Sequence, residues 1–311
     1  MIILLEIMDN TYHDKMRVLV FGANGLLGQK LLAEMNSSYQ IIAVGKGGKT
    51  YKNSKNIDYH EGDITDSGRV NEIIRSTNPG VIVNAAAYTN VDGCEANKEE
   101  CWKTNVEGVE NIVKVSRHIG AKLIHISTDY VFDGKDGPYS EDALPSPESY
   151  YGRSKLASEN VVNGSTIKFA IIRTNVLYGN AVPARASFVG WVRRELSKGN
   201  KIRVVNDQFS NPTLANDLAA CILRIIQLEA EGLFNYAGAD YLNRFEFAQI
   251  IAEKFDYPQE LIFPITTEDL GQLANRPKKA GLQTEKARDT LGLKILGIEH
   301  GMDIMIAEMN E

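Results

Sequence analysis

The sequence predicts an α/β fold: a doubly wound parallel sheet with a smaller C-terminal lobe built from two separate stretches of chain. Three observations predict it. Short β-branched, apolar runs alternate with helical patterns from Met16 to Arg173, and such alternation calls for a parallel sheet covered on both faces. The first run leads directly into a glycine turn, Gly22-Ala-Asn-Gly25-Leu-Leu-Gly28, which opens the first helical pattern. After Arg173 the composition changes, and a helix and a strand return to the sheet only between 213 and 237. The expected division is an N-terminal extension over 1–15, a sheet domain over 16–173 and 211–240, and a lobe over 174–210 and 241–311. The cleft between them should hold a substrate.

Met16–Phe21 (MRVLVF) reads as a buried strand. The glycines after it permit a tight turn and close backbone approach, and the following helix N-terminus offers unpaired N–H groups to a pyrophosphate. Strand, glycine turn and helix together make a dinucleotide site of the Rossmann type, here spaced GxxGxxG, with Gly22, Asn24, Gly25, Leu26 and Leu27 as its contacts. Gln40–Gly45 is the second strand. Its end, Gly45-Lys46-Gly-Gly-Lys49, has no acid for a ribose diol but has two lysines. Lys46 therefore favours a 2′-phosphate and NADPH, with NADH also allowed.

Ile57–His60 is the third strand and runs into Gly62-Asp63-Ile64, where Asp63 should meet an adenine edge with Ile64 beside it. Residues 66–76 read as a helix stopped by Asn78-Pro79. Val81–Ala87 is the fourth strand, and the small Ala85, Ala86 and Ala87 would let a cofactor lie against its end. A long helix is expected from Glu95 to His118; its Asn105 reads, by propensity alone, as a surface residue. Lys122–Ser127 is the fifth strand, ending in Ser127-Thr128-Asp129-Tyr130-Val131-Phe132, with hydroxyls at the binding edge of the sheet. His125, inside that strand, reads as a hydrogen-bonded core residue. Residues 133–149, rich in Gly, Pro, Asp and Ser, form a loop expected to wall or lid the site.

Tyr151-Gly-Arg-Ser-Lys155 opens the next helix. Residues four apart share a helix face, so the Lys155 ammonium could lower the phenol of Tyr151 from its usual pKa of about 10. The spacing alone is common on solvated helices. Ile167–Arg173 is the sixth strand; a helix over 188–198, a short run over 201–205, a helix over 213–230, a strand over 232–237 and helices near 243–255, 284–291 and 299–309 follow.

The 311 residues are 43% hydrophobic and 24% charged, as in an ordinary globular protein, and the net charge of −6 argues against a nucleic-acid partner. Three cysteines without CxxC spacing favour neither a disulfide framework nor a zinc site; no metal is expected, and the cytoplasm is the natural compartment. The apolar opening Met1–Met8 is too short to span a bilayer and lacks a basic leader, so no membrane partner is expected.

Taken in order, Gly22/Gly25/Gly28, Asp63-Ile64, Asn84-Ala-Ala-Ala87, Asn105, Ser127-Thr128 and Tyr151/Lys155 resemble the extended short-chain dehydrogenase/reductase family. Asn84-Ala-Ala-Ala-Tyr-Thr-Asn-Val-Asp92, Ser127–Gly134, Val205–Thr213 and Asn275-Arg276-Pro277 are similar to its dTDP-4-dehydrorhamnose reductase branch. The resemblance implies an NADPH-dependent reductase of a nucleotide-linked 4-keto-6-deoxy sugar. It implies that Tyr151 is the general acid, Lys155 holds the nicotinamide ribose and tunes Tyr151, Thr128 binds the substrate oxygen, and Asn105 bends its helix to support a proton relay. Asp129, Phe132, Asn175 and Arg276 would lie on the substrate side, Arg276 facing the diphosphate.

Some positions depart from that branch. Arg173-Thr-Asn-Val-Leu-Tyr178 lacks the serine and tryptophan usual there, and Ala-Gly-Leu-Gln283 stands where Ser-x-Leu-Asp is usual. No acid near Gln29-Lys30 matches the one used in a magnesium-linked dimer, so that dimer is not expected, while a homodimer of another kind stays open. Two alternatives remain. One is an epimerase or dehydratase of the same family, disfavoured because Tyr130 rather than a second carboxylate follows Asp129. The other is a non-catalytic NADP-binding subunit, like the beta subunit of methionine adenosyltransferase.

Overall fold

Along β1 (Met16–Phe21) the buried side chains alternate: Val18 and Val20 enter one core, Leu19 and Phe21 the other. That alternation is what a strand covered on both faces requires. The computed structural model describes residues 15–35, 38–50, 57–182 and 187–310, so all of the expected extension except Lys15 lies outside the described residues.

After β1 come α1 (Leu26–Glu34), β2 (Tyr39–Gly45), β3 (Ile57–Glu61), α2 (Ser67–Thr77) and β4 (Val81–Asn84). The side chain of Asp66 caps α2 by accepting from the Arg69 N–H, and Asn78, in the left-handed conformation, ends it just before Pro79. The single helix expected from Glu95 to His118 is instead four pieces: α3 (Val91–Ala96), α4 (Lys98–Trp102), a π-helical turn over Lys103–Glu107, and α5 (Gly108–Ile119). Asn97 breaks the run between α3 and α4. β5 (Lys122–Thr128), α6 (Tyr150–Asn163) and β6 (Phe169–Thr174) complete the N-terminal part.

The C-terminal part adds β7 (Leu177–Tyr178), α7 (Phe188–Leu196), β8 (Ile202–Val205), β9 (Phe209–Ser210), β10 (Thr213–Leu214), α8 (Ala215–Gln227) and β11 (Gly232–Asn235). Then come β12 (Leu242–Asn243), α9 (Arg244–Lys254), β13 (Ile262–Ile265), α10 (Thr267–Leu270), α11 (Glu285–Leu291) and α12 (Ile298–Met309). The main sheet has seven strands in the order β11-β6-β5-β4-β1-β2-β3, and every pairing in it is parallel. Strand order reverses between β1 and β4, and in open sheets of this kind ligands bind at the carboxyl ends beside that reversal.

One face of the sheet is covered by α1, α8 and α11 through Leu31, Leu218, Ile222 and Leu291, the other by α2, α5 and α6 through Ile73, Ile112 and Val162. A third core, with Val192, Phe247, Ile251 and Met302, holds the lobe together. Two features differ from the expected division. Ala287 and Leu291 of α11 are buried in the sheet's core, so this helix packs with the sheet rather than the lobe. β13, which pairs parallel to β8, is a strand the sequence hides because Pro264 interrupts a four-residue run. Among the described residues no helix is long and apolar enough to cross a membrane.

Candidate active site

α6 begins against the turn that follows β5. Ser149 caps it by accepting from the Gly152 N–H at 3.1 Å, and the Tyr150 N–H donates to Glu95 at 2.7 Å. Gly152 has to be glycine: a Cβ there would sit 2.1 Å from the Tyr130 carbonyl oxygen. That approach brings Tyr151 edge-on to Tyr130, with centroids 5.6 Å apart and rings at 74°.

Tyr151 and Lys155 are 9% and 2% exposed. Burial pushes the Tyr151 phenol well above its ordinary range, the neighbouring Thr128 hydroxyl acts against this, and nearby Asp129 adds to it. Burial pulls the Lys155 ammonium down to about 8, opposed by the charge of Glu159. Lys155 Nζ donates to the Ile126 carbonyl at 2.8 Å. The phenol is therefore not lowered, as the i,i+4 spacing suggested: desolvation outweighs the rest and keeps its proton on at neutral pH.

Thr128 and Asp129 lie buried at the end of β5. The Thr128 hydroxyl donates to Asp129 at 3.2 Å, and Asn175 Nδ2 donates to the same carboxylate at 3.2 Å. Burial nonetheless raises Asp129 to about 6. Phe132 is not where a substrate contact needs it. It is 1% exposed, stacked on Tyr139 with centroids 4.2 Å apart and covered by the Arg173 guanidinium at 5.1 Å, so it is a core residue. Beneath it Arg173 and Glu159 form a buried two-pronged ion pair at 2.9 and 2.7 Å, and Ser127 donates to Glu159 at 2.5 Å.

Asn105 is buried, against its reading by propensity. The π turn aims its amide inward, where Oδ1 accepts from the Tyr88 N–H at 2.8 Å and Nδ2 donates to the Tyr88 carbonyl at 3.1 Å and to Ser154 Oγ at 2.9 Å. One side chain thus ties the turn after β4 to α6.

At the reversal point Gly22, with φ +83°, runs against β4: a Cβ there would meet the Ala85 and Ala86 backbone at 2.7 Å. A Cβ on Gly28 would lie 2.3 Å from the Gly22 carbonyl, and Gly25 opens α1. Ala85, Ala86 and Ala87 are half-buried at the end of β4. These residues fit a dinucleotide, because the close backbone approach leaves N–H groups at a helix start uncovered by side chains. Leu26 is half-buried, but Leu27 and Ile64 are buried core side chains, so at those two positions only the backbone faces a ligand. Asn24 is committed to the β2 loop: its Nδ2 donates to the Lys46 and Gly48 carbonyls and to Tyr59, and its Oδ1 accepts from Thr50. Lys46 and Asp63, expected to meet different parts of a cofactor, pair with each other at 2.7 Å.

Arg276, expected on the substrate side, pairs with Asp92 at 2.9 Å, and its buried Nη1 has no partner among the described residues. It borders a cleft lined also by Lys135, Glu148, Thr267 and Lys278. Arg244 was missed. Its charge acts on both Tyr130 and Asp129, yet it opens α9 after an ordinary capping box and carries no sequence signal.

The RmlD substrate binding domain family matches residues 16–311. The dTDP-4-dehydrorhamnose reductase of Aggregatibacter actinomycetemcomitans is 32% identical over 89% of this chain and 94% of its own. The methionine adenosyltransferase 2 subunit beta of Rattus norvegicus is 33% identical over 89% of this chain and 83% of its own. The crystal structure of the Bacillus anthracis dTDP-4-dehydrorhamnose reductase in complex with NADP superposes with a TM-score of 0.84 at 31% identity, covering 94% of this chain and 99% of that one. With the glycine turn at the strand reversal and a buried Thr128, Tyr151 and Lys155 along its edge, the chain belongs to the RmlD substrate binding domain family, among the extended short-chain dehydrogenases/reductases.

Proposed function

We propose that the protein is an NADPH-dependent reductase of a nucleotide-linked 4-keto-6-deoxy sugar, acting as a dTDP-4-dehydrorhamnose reductase. The observation that carries this reading is the convergence of buried Thr128, at the end of β5, with Tyr151 and Lys155 on α6. Bound NADPH would supply the hydride. Tyr151, which burial keeps protonated, donates its Oη proton to the carbonyl oxygen as that oxygen becomes an alkoxide. The Thr128 hydroxyl, which otherwise donates to Asp129, turns its one proton to the same oxygen. Lys155 uses one N–H on Ile126 and has others for the nicotinamide ribose.

At the far end, the backbone N–H groups of Leu26 and Leu27 at the start of α1 take the pyrophosphate, those of Gly22, Ala23 and Gly25 being used within the turn, and Lys46 exchanges Asp63 for a 2′-phosphate. Arg276, with Nη1 unused, is suited to the sugar's diphosphate. The buried free cysteines support a reducing compartment, and we place the protein in the cytoplasm.

The test is consumption of NADPH with dTDP-4-keto-6-deoxy sugar as acceptor. Turnover that Tyr151→Phe removes supports the reading. The likeness to the rat beta subunit motivates a second one: NADPH bound tightly with no turnover across a panel of nucleotide sugars would make this chain a binding subunit.

A further inference from the structure

The reaction as derived leaves a fully buried histidine unused. His125 lies inside β5, 0% exposed, directly behind Lys155. The geometry points to His125 as a positioning residue that, neutral and protonated on Nε2, fixes the backbone of α6 at Lys155 and leaves the ammonium free for its ligand.

The argument follows one chain of hydrogen bonds whose direction is forced. The Ala86 N–H can only donate, and it donates to Asn84 Oδ1 at 3.2 Å. This fixes the amide, so its other end, Nδ2, is the group 3.2 Å from His125 Nδ1. An amide NH2 has no lone pair to offer, so Nδ1 must accept and carries no proton. The ring proton is then on Nε2 and donates to Ser158 Oγ at 3.0 Å. Ser158 in turn donates to the Lys155 carbonyl at 2.7 Å. The opposite tautomer would set Nδ1–H against the Asn84 NH2 and leave two buried donors unpaired.

A consequence follows for Lys155. Its Nζ lies 3.3 Å from Nε2, where the lone pair is already replaced by a proton, so the ammonium gains no acceptor there. It is held through Ile126 alone among these neighbours, and its remaining N–H groups stay available. Burial and the Lys155 charge both drive His125 towards the neutral form, in agreement with the hydrogen-bond pattern. The residues facing the ring are Asn84 from β4 and Lys155 and Ser158 from α6. The chain also links Ala86, at the end of β4 where the cofactor is placed, to the helix that carries Tyr151 and Lys155.

This inference rests on the reading of the cleft as an NADPH site, and two measurements separate them. The first is ring nitrogen NMR on the 15N-labelled full chain, with His125 identified by the signal lost in His125→Gln. The expected result is an Nε2–H tautomer that does not titrate across roughly pH 6 to 9; an Nδ1–H tautomer or an imidazolium overturns the proposal whether or not NADPH binds.

The second is NADPH affinity of the folded variants. His125→Gln can still accept from Asn84 and donate to Ser158, and should bind within about threefold of wild type. His125→Leu should weaken binding about tenfold, and Ser158→Ala, which removes only the last link, about threefold to tenfold. A role confined to stability would lower the urea midpoint while leaving affinity unchanged, and that result overturns the proposal. So does a glutamine variant as weak as the leucine one. If His125→Leu does not fold, Ser158→Ala and the tautomer decide. Failure of wild-type protein to bind NADPH at all would instead refute the function reading.

Discussion

At the β5–α6 end of the cleft, Thr128, Asp129, Tyr151 and Lys155 are buried and engaged with one another or with the sheet. At the β2 end, the loop over 45–49 is held by Asn24, by Tyr59 and by the Lys46–Asp63 ion pair, whose lysine is 61% exposed. Where groups are dry, each position is fixed by several partners, and removing one leaves others unsatisfied. Where they are wet, water substitutes and effects are graded. On the proposed function, chemistry belongs to the first end and the choice between cofactors to the second.

That contrast can be broken most sharply at Tyr151. Tyr151→Phe should reduce NADPH-dependent turnover about 10³-fold, the range of a lost general acid, with NADPH affinity and thermal midpoint close to wild type. Substantial remaining turnover would show that proton donation lies elsewhere.

Arg173→Met should come next. It strands the Glu159 carboxylate beside Ser127 in a dry site, and urea unfolding should show a loss of about 3–5 kcal/mol. Replacing both partners, Arg173→Met with Glu159→Leu, should recover much of that. A single variant as stable as wild type would mean that this end of the cleft is wetter than its burial implies.

Asp129 gives a pH-dependent test. Its folded pKa of about 6 lies above the ordinary 3.8, so it contributes stability that is complete below about pH 4 and lost as pH rises through about 6. Asp129→Asn lacks this dependence. The stability of wild type relative to the variant should fall by roughly 2–3 kcal/mol between about pH 4 and pH 7, read by urea unfolding at each pH. An unchanged difference would place Asp129 in water.

The smallest effect is expected at Lys46. Lys46→Ala should lower the preference for NADPH over NADH about threefold to tenfold, and the change should shrink as salt is added. A salt-independent loss of a hundredfold or more would mean that the β2 end is as closely fixed as the other.

The sheet was legible because each strand carries its own run of apolar residues and each helix its own period, signals local to the chain. The glycine turn was legible for the same reason, and Thr128, Tyr151 and Lys155 came from motif and resemblance together. What could not be read was whatever depends on depth. The i,i+4 spacing suggests a charge acting on the Tyr151 phenol, but shows neither the burial that raises the phenol nor that Lys155 turns its ammonium to the Ile126 carbonyl. Phe132, four residues beyond Thr128, looks equally close to the cleft until Tyr139 and Arg173 close over it. Propensity alone misplaces Asn105, which the resemblance sets at a helix bend, because its partners, Tyr88 and Ser154, lie 17 and 49 residues away. Arg244 carries no signal because distant strands and helices set its surroundings, and His125 reads correctly as a hydrogen-bonded core residue while its partners, Asn84 and Ser158, stay hidden for the same reason.

The π turn over Lys103–Glu107 also sets a limit on chain length. It carries one residue more than a regular coil would, so the stretch before it and α5 after it are out of phase by about 100°. The earlier stretch can therefore turn Cys101 toward Ser154 while α5 turns Val109 and Ile112 to the sheet. Shortening the segment by one residue would mend the hydrogen-bond ladder and make a more regular helix. It would also swing one of those two surfaces out of place, so a more ideal backbone here would give a poorer protein.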